Sequence, residues 1–421
     1  MEDLKKKTVC FVDNGLFVSF ARHVAPAFGR CLYHRPFQSA FVRTHDLSPG
    51  AGFPELEWCR DPLAVVDEVD LWVFPDLYQV GLQLHLRDMG CRVWGAGAGE
   101  EMELERYKFK EYLKKVGLPV QKCEQIFGFD NLRKYLKSAK GKKYVKTSFV
   151  RGDFETFGAD SYESCQGRID HIEYLVGAAN KDTYEFVVED AIPDCVEIGY
   201  DGFTIDGKFP DLAMQGYEIK DCGMVATVKP YNQLSDPVKL VNSKMVDAFK
   251  TYGYRGFFCT EIRYTKDKKP YFIDPCCRLG TPSNELLQEL FGNWPEVLWY
   301  GAEGKLVPMK QKAKYGVLAM INSEWAQQNW QRVDYPKELD PHVKLRFHCR
   351  AKDGGNYIVP QQIGLSDIGC VTGTGETIAA AIKQCQERAA QIKGIQIKVN
   401  TEALDEGLEV IAAGKKFGIE F

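Results

Sequence analysis

Two apolar runs separated by four polar residues constrain this chain more than anything else in it. Gly256-Phe-Phe-Cys-Thr-Glu261-Ile-Arg263-Tyr-Thr leads into Lys266-Asp-Lys-Lys269, then Pro270-Tyr-Phe-Ile-Asp274-Pro-Cys276-Cys277-Arg278. The pattern predicts a β-hairpin turning at 266–269. One acid lies in its first strand and one near the end of its second. Paired strands sit about 4.8 Å apart, so Glu261 and Asp274 can lie side by side and share a cation. Two carboxylates held that close need compensation, and a divalent cation such as Mg²⁺ bridging phosphates supplies it. Arg278, four residues after Asp274, adds a fork of donors for a phosphoryl or carboxylate group. Taken alone, the hairpin reads more readily as a surface element with solvated acids.

The flanking segments differ in kind. In the first hundred residues short apolar strands (Thr8 to Val12, Leu71 to Phe74, Arg92 to Trp94) end in turn signals, and Val80 to Asp88 reads as a helix between two of them. Such alternation predicts a parallel α/β sheet. Gly95-Ala-Gly97-Ala-Gly99 follows a late strand rather than the first, so it reads as a flexible crossing between domains, not as a dinucleotide loop. From Glu105 the pattern changes. A helix runs to Gly117-Leu118-Pro119, and Asp130 is expected to cap a basic helix. Strands follow at Lys143 to Lys146, Tyr184 to Glu189, Glu197 to Ile205, Phe257 to Tyr264 and Pro270 to Asp274. From Lys310 on, strands are expected at Tyr315 to Ile321, Val343 to Cys349 and Tyr357 to Pro360. Thr377 to Ile392 steps its apolar residues at helical spacing. The expected division is an N-terminal α/β domain at 1–104, a middle domain at 105–309 with a lobe at about 142–215, and a C-terminal α+β domain at 310–421.

Composition excludes several classes. Of 421 residues, 45% are hydrophobic and 27% charged, as in ordinary globular chains. With 54 basic against 58 acidic side chains, no strong field points to nucleic acid or an anionic membrane. Arg133 to Lys146 holds seven basic residues in 14, but without the aromatics of a stacking surface it reads as a solvated face. No apolar stretch is long enough for a membrane span, and the run after Lys5-Lys-Lys7 is too short for a signal-peptide core. Fourteen scattered cysteines without zinc spacing predict free thiols in a reducing, cytoplasmic setting. His348 beside Cys349, and His34 near Cys31, lack further ligands at metal spacing and read as structural. Cys276 as a nucleophile has no histidine base near it in sequence.

Upstream of the hairpin, Tyr144-Val-Lys146 ends an apolar strand with a lysine and leads into Arg151-Gly152-Asp153. Glu185-Phe-Val-Val-Glu189-Asp190-Ala-Ile192 ends a strand in Glu-Asp, with Glu197 eight residues after Glu189. A strand end of this kind can offer main-chain groups to an adenine edge, and a carboxylate beyond it can accept from ribose hydroxyls. Each element alone is weak; the order is specific. Lysine strand, Glu-Asp hinge, paired-acid hairpin and arginine resemble the ATP-grasp superfamily, and within it the glycinamide ribonucleotide synthetase (phosphoribosylamine–glycine ligase) branch. The tail Ile368-Gly-Cys-Val-Thr-Gly-Thr-Gly375-Glu-Thr-Ile-Ala resembles the lead-in to that branch's last long helix.

The resemblance implies an ATP-grasp fold with a Rossmann-like N-terminal domain and a synthetase-like C-terminal domain. It implies ATP and Mg²⁺ as cofactors, and small-molecule carboxylate and amine substrates joined through an acylphosphate. It leaves the oligomeric state open, a homo-oligomer included. By position it implies Arg106 (with Lys108 as the alternative) and Lys146 on the phosphates, and Glu189, Asp190 and Ile192 at the adenine hinge. It places Glu197 on the ribose, Lys220 toward the triphosphate, Glu261 and Asp274 on the metal, and Arg278 at the transferred phosphate. Lys146 and Arg278 carry the catalytic roles. Three departures stand out. Val150 to Thr156 replaces a glycine-rich loop, Cys276 replaces an asparagine metal ligand, and Thr281-Pro282-Ser283 replaces an acidic substrate motif. The first two leave a catalytically silent Mg-ATP-binding regulatory module as the alternative reading, and the third argues against glycine and phosphoribosylamine as substrates.

Overall fold

The computed structural model describes residues 2–35, 47–148, 156–219, 222–361 and 366–421. Strands Glu57–Cys59, Arg30–His34, Thr8–Val12, Leu71–Val73 and Val93–Trp94 lie side by side in that order as a parallel sheet. Thr8–Val12 is central and almost wholly apolar because both faces of such a strand are covered. Chain order reverses beside it, and the segments leaving the sheet there meet the rest of the molecule. Leu279 N–H donates to Pro75 O (2.8 Å), and Gly95 N–H donates to Arg255 O (2.8 Å).

The Gly95–Gly99 crossing is packed tightly, contrary to the flexible connection expected. A Cβ on Gly95 would lie 2.2 Å from Gln83 Oε1, and one on Gly99 2.5 Å from the Tyr254 ring. Small residues are needed here so that one backbone can approach another.

A second, small antiparallel sheet has the order Cys123–Phe127, Glu185–Asp190, Lys143–Thr147, Thr156–Ala159. Helices Phe129–Ser138 and Tyr162–Val176 cover it around Phe129, Leu132, Val145, Ile169 and Phe186. Asp130 lies inside the first of these helices rather than capping it; the cap position is Gly128. The small sheet and its helices lie within Cys123 to Asp190, and Cys195–Ile205, inside the lobe expected at about 142–215, pairs in another sheet.

That third sheet has nine strands. Pro270–Cys276, Arg255–Thr265, Cys195–Ile205, Leu212–Ile219, Gly223–Pro230, Tyr315–Ser323, Asp367–Gly375 and Val343–Leu345 follow one another, with Ile397–Val399 also paired to Tyr315–Ser323. Sheet pairing therefore runs without a break across the division expected at 309/310. The strand expected over Val343 to Cys349 is two, Val343–Leu345 and His348–Arg350, separated at Phe347, whose φ is +50°. His348–Arg350 joins a separate three-stranded sheet instead. Helix Ile378–Ala389 begins at Thr377, whose hydroxyl accepts from Ala380 N–H.

Candidate active site

The hairpin forms as expected, and one irregularity decides its use. Tyr264, Arg263 and Ile262 pair with Pro270, Tyr271 and Phe272, but Glu261 pairs with Asp274. Ile273 is thus the extra residue of a β-bulge. In a regular ladder Glu261 would face Ile273, and Asp274 would point to the other side of the sheet. The bulge puts both carboxylates on one face. It also leaves the Ile273 carbonyl outside the regular pairing, where Lys110 Nζ (2.6 Å) and Lys146 Nζ (3.4 Å) donate to it.

Three cations converge on this point from two directions. Arg106 and Lys110 lie one turn apart on the helix Arg106–Lys115 and so share a face. Lys146 comes from the small lobe's strand Lys143–Thr147. Arg106 Nη1 and Lys146 Nζ each lie 2.6 Å from an oxygen of Asp274, and Arg106 Nε also donates to Thr147 O (3.0 Å). Glu189 lies between Lys110 (3.0 Å) and Lys146 (3.3 Å), with Gln121 donating to it at 2.6 Å. Arg106, Lys110, Lys146 and Glu189 are all deeply buried, whereas Asp274 keeps some open surface.

The two paired acids are pushed apart electrostatically. Burial raises the Asp274 carboxyl, but Lys146, Arg106 and Lys110 outweigh it and hold its pKa at about 2. Glu261 moves the other way, well above the usual carboxylate range. The protein mass around it comes first, then the negative charges of Asp274, Glu197 and Glu218. Its side chain nevertheless keeps open surface in the cleft, and among the described residues it makes no ion pair.

The other expected residues differ in what they contact. Glu197 pairs with Arg263 on the neighbouring strand. Arg278 lines the same cleft as Glu197 and Glu261, and Glu103 grips it at 3.0 Å while accepting from Cys277 N–H at 2.6 Å. Asp190 spends its carboxylate on Lys143 (2.6 Å) and its N–H on Lys122 O. Ile192 O accepts from the Cys195 thiol. Lys108, the alternative to Arg106, is exposed and paired with Glu101 and Glu105. Cys276 sits opposite Cys259, and its thiol is directed at Arg278 O rather than the guanidinium. Lys220 and Arg151, with the rest of 149–155, lie outside the described residues. In the basic stretch, Arg133 is neutralised by Asp170 and Glu173.

Four contributors had not been singled out from sequence: Lys110, Glu103, Gln121 and Asp201. Lys110 had a signal, its i+4 spacing from Arg106. Glu103 lies in an acidic run in which Glu100 is buried as well, and nothing local marks it as the one that holds Arg278. Among the described residues no three His, Cys, Asp or Glu side chains are grouped as a metal centre, and no helix is long and apolar enough to cross a membrane.

No protein-family profile matches the chain, and no curated protein matches it. Solved structures do. Phosphoribosylamine–glycine ligase from Thermotoga maritima superposes with a TM-score of 0.68 at 17% identity, over 93% of this chain and 98% of that one. Biotin carboxylase from Campylobacter jejuni, in an ATP complex, gives 0.63 at 14% identity, over 96% and 95%. N5-carboxyaminoimidazole synthetase from Staphylococcus aureus, with ADP, gives 0.60 at 13% identity, over 93% and 98%. Likeness over nearly the full length of each, together with the sheet order above, establishes that the chain has the ATP-grasp fold.

Proposed function

We propose that this protein is an ATP-dependent carboxylate–amine ligase that forms an amide through an acylphosphate, releasing ADP and phosphate. The observation that carries the reading is the bulged hairpin, which sets Glu261 and Asp274 side by side on one face, Asp274 against Lys146 and Arg106 and Glu261 in the cleft that Arg278 also lines. The residues suit Mg-ATP. Glu261 is a carboxylate with open surface and, among the described residues, no ion-pair partner, and it faces three other acids, so a cation suits it. Two protein carboxylates suit Mg²⁺, which takes its remaining ligands from phosphate oxygens and water. Bound Mg-ATP would supply the phosphoryl group and the charge that balances Glu261.

The chain's own residues position the reactants, which is most of what such a transfer asks of a protein. Lys146 and Arg106 would hold phosphate oxygens, and Glu197 the ribose. Asp190 and Ile192 would offer main-chain groups to the adenine, with Lys220 a further phosphate contact. Arg278, its guanidinium fixed by Glu103, would steady the phosphoryl group as a substrate carboxylate attacks it. The amine then displaces phosphate from the acyl carbon. The likeness to phosphoribosylamine–glycine ligase supports an amide-forming reaction, and Thr281-Pro282-Ser283 where acids are expected favours substrates other than glycine and phosphoribosylamine.

The test offers Mg-ATP with pools of small carboxylates and amines, glycine and phosphoribosylamine included, and measures ADP. ADP dependent on a particular pair, and lost in Glu261→Gln and Asp274→Asn, is the expected result; wild-type ADP release by either variant would overturn the assignment. A second reading rests on Cys276. A neutral thiol is a poor ligand for a hard cation, and this one is engaged with Arg278 O. Saturable Mg-ATP binding with no ADP from any pair would favour a silent nucleotide-binding module.

A further inference from the structure

Three rungs cross the floor of the cleft. The strands Cys195–Ile205, Arg255–Thr265 and Pro270–Cys276 align Glu197, Arg263 and Tyr271 on the first. Gly199, Glu261 and Asp274 form the second, and Asp201, Cys259 and Cys276 the third. Successive rungs are two residues apart, about 7 Å along the strands. On the first rung the acid is paired with Arg263, and on the second Asp274 is paired with Arg106 and Lys146.

The third rung has an acid and no cation. Among the described residues Asp201 makes no ion pair; its partners are the Ser283 hydroxyl and the Cys259 thiol, and burial raises its carboxyl. These groups meet at one place. A Cβ added to Gly280 would lie 2.2 Å from Ser283 Oγ, 2.8 Å from Cys259 Sγ and 3.6 Å from Asp201 Oδ1. The Gly280 backbone therefore passes directly over the cluster, which lines the cleft together with Arg278, Thr281 and Pro282. A carboxylate surrounded by neutral groups is costly to keep charged. A ligand that brings its own cation offsets that cost. Metal is a poor candidate, since one carboxylate beside thiols is not a hard-cation site. A substrate carboxylate is worse, since Asp201 would repel it.

We propose that Asp201 and Ser283 seat a protonated primary amine, the nucleophile of the ligation, at the end of the floor away from Glu197. This rests on the ligase reading and names one of its substrate classes. Asp201 takes the proton that converts the ammonium to the free amine. The nitrogen lone pair then forms the C–N bond, the C–O bond to the phosphoryl group breaks, and the second nitrogen proton leaves with phosphate.

The probe is methylammonium, titrated onto the full chain and followed by ligand-observed NMR, with tetramethylammonium and acetate as controls. Methylammonium is expected to bind saturably to the wild type, and Asp201→Asn to weaken it at least about tenfold, the scale of one charge-assisted hydrogen bond. Ser283→Ala, which keeps the acid but frees it, is expected to cost about threefold and guards against a misfolded Asp201→Asn. Tetramethylammonium, with no N–H to donate, is expected to show no difference between wild type and variants. Equal methylammonium affinity in wild type and both variants, no binding to the wild type, or preferential binding of acetate would each overturn the proposal. Mg-ATP binding is measured alongside. Methylammonium binding without Mg-ATP binding would remove the ligase reading and leave the amine seat; the reverse would remove the seat alone.

Discussion

Lys110 and Glu189 form an ion pair with almost no solvent contact, each side chain 3% exposed or less. Burial pushes the Lys110 ammonium down, outweighing the attraction of Glu189. Removing one member of a buried pair costs about 3–5 kcal/mol when the other is left alone; Glu189 would keep Lys146 at 3.3 Å while the Ile273 carbonyl loses its 2.6 Å donor, which puts the loss of Lys110 at the lower end, about 3 kcal/mol. Lys110→Met should therefore lower stability by that order in urea unfolding, whereas Lys108→Met, at an exposed pair, should change it little. The contrast also shows why this residue escaped the sequence reading. Lys108, Lys110, Lys114 and Lys115 crowd one short helix, and only the i,i+4 relation to Arg106 singles Lys110 out. A second buried charge gives a pH prediction. Asp13 accepts from Phe17 N–H (3.0 Å) and from the Tyr33 hydroxyl, yet burial pushes its pKa up to about 7. The unfolded carboxyl titrates near 4. Below that pH the group has no effect. Between about 4 and 7 the folded state keeps a proton that the unfolded state loses, so stability falls as pH rises, by on the order of 4 kcal/mol in all. Urea midpoints at pH 5 and pH 8 should differ less in Asp13→Asn than in the wild type; equal differences would remove Asp13 as the cause.

Elements were legible where periodicity and turn chemistry agreed. The hairpin at 266–269 and the lysine strand were readable to within two residues, and the helix Ile378–Ala389 to within three. What was not readable is the bulge at Ile273. Nothing in Pro270-Tyr-Phe-Ile-Asp274 announces an extra residue, and yet without it the two acids face opposite sides. The broken strand at Phe347 is a similar case, since a buried phenylalanine gives no hint of a positive φ. Contacts between elements were hidden too, because they depend on residues far apart in sequence. Gly256 is the clearest. A Cβ there would lie 2.9 Å from the Gly95 carbonyl carbon, at the seam where the parallel sheet bridges to Arg255. That seam fixes how Pro75 and Leu279 meet beside the cleft. Gly256→Val should force the backbones apart and cost about 1–3 kcal/mol, read as a lower urea midpoint. An unchanged midpoint would mean the seam can give without loss.

At the scale of the whole molecule, composition and alternation pointed to three successive domains, and the sheets divide the chain otherwise. Tyr315–Ser323 pairs with Gly223–Pro230 on one side and Asp367–Gly375 on the other, so the last hundred residues complete the sheet that carries the site. The final helix, Leu404–Lys416, lies on the same sheet. Gly407 packs close to Val225 and Ile219, Tyr217 stacks on Phe421, and Val410 reaches the cleft itself. A chain ending at residue 309 would lose all of this. It would expose the edge of Gly223–Pro230, where Met224, Val225, Ala226 and Val228 are buried in the intact protein. A long apolar strand edge without a partner is a template for aggregation. The 1–309 fragment is therefore expected to run as aggregate on size exclusion and to bind no nucleotide. A monodisperse fragment that still binds Mg-ATP would show instead that residues 1–309 form a complete folding unit, and that the residues after 309 are not needed for the stability of the cleft's floor.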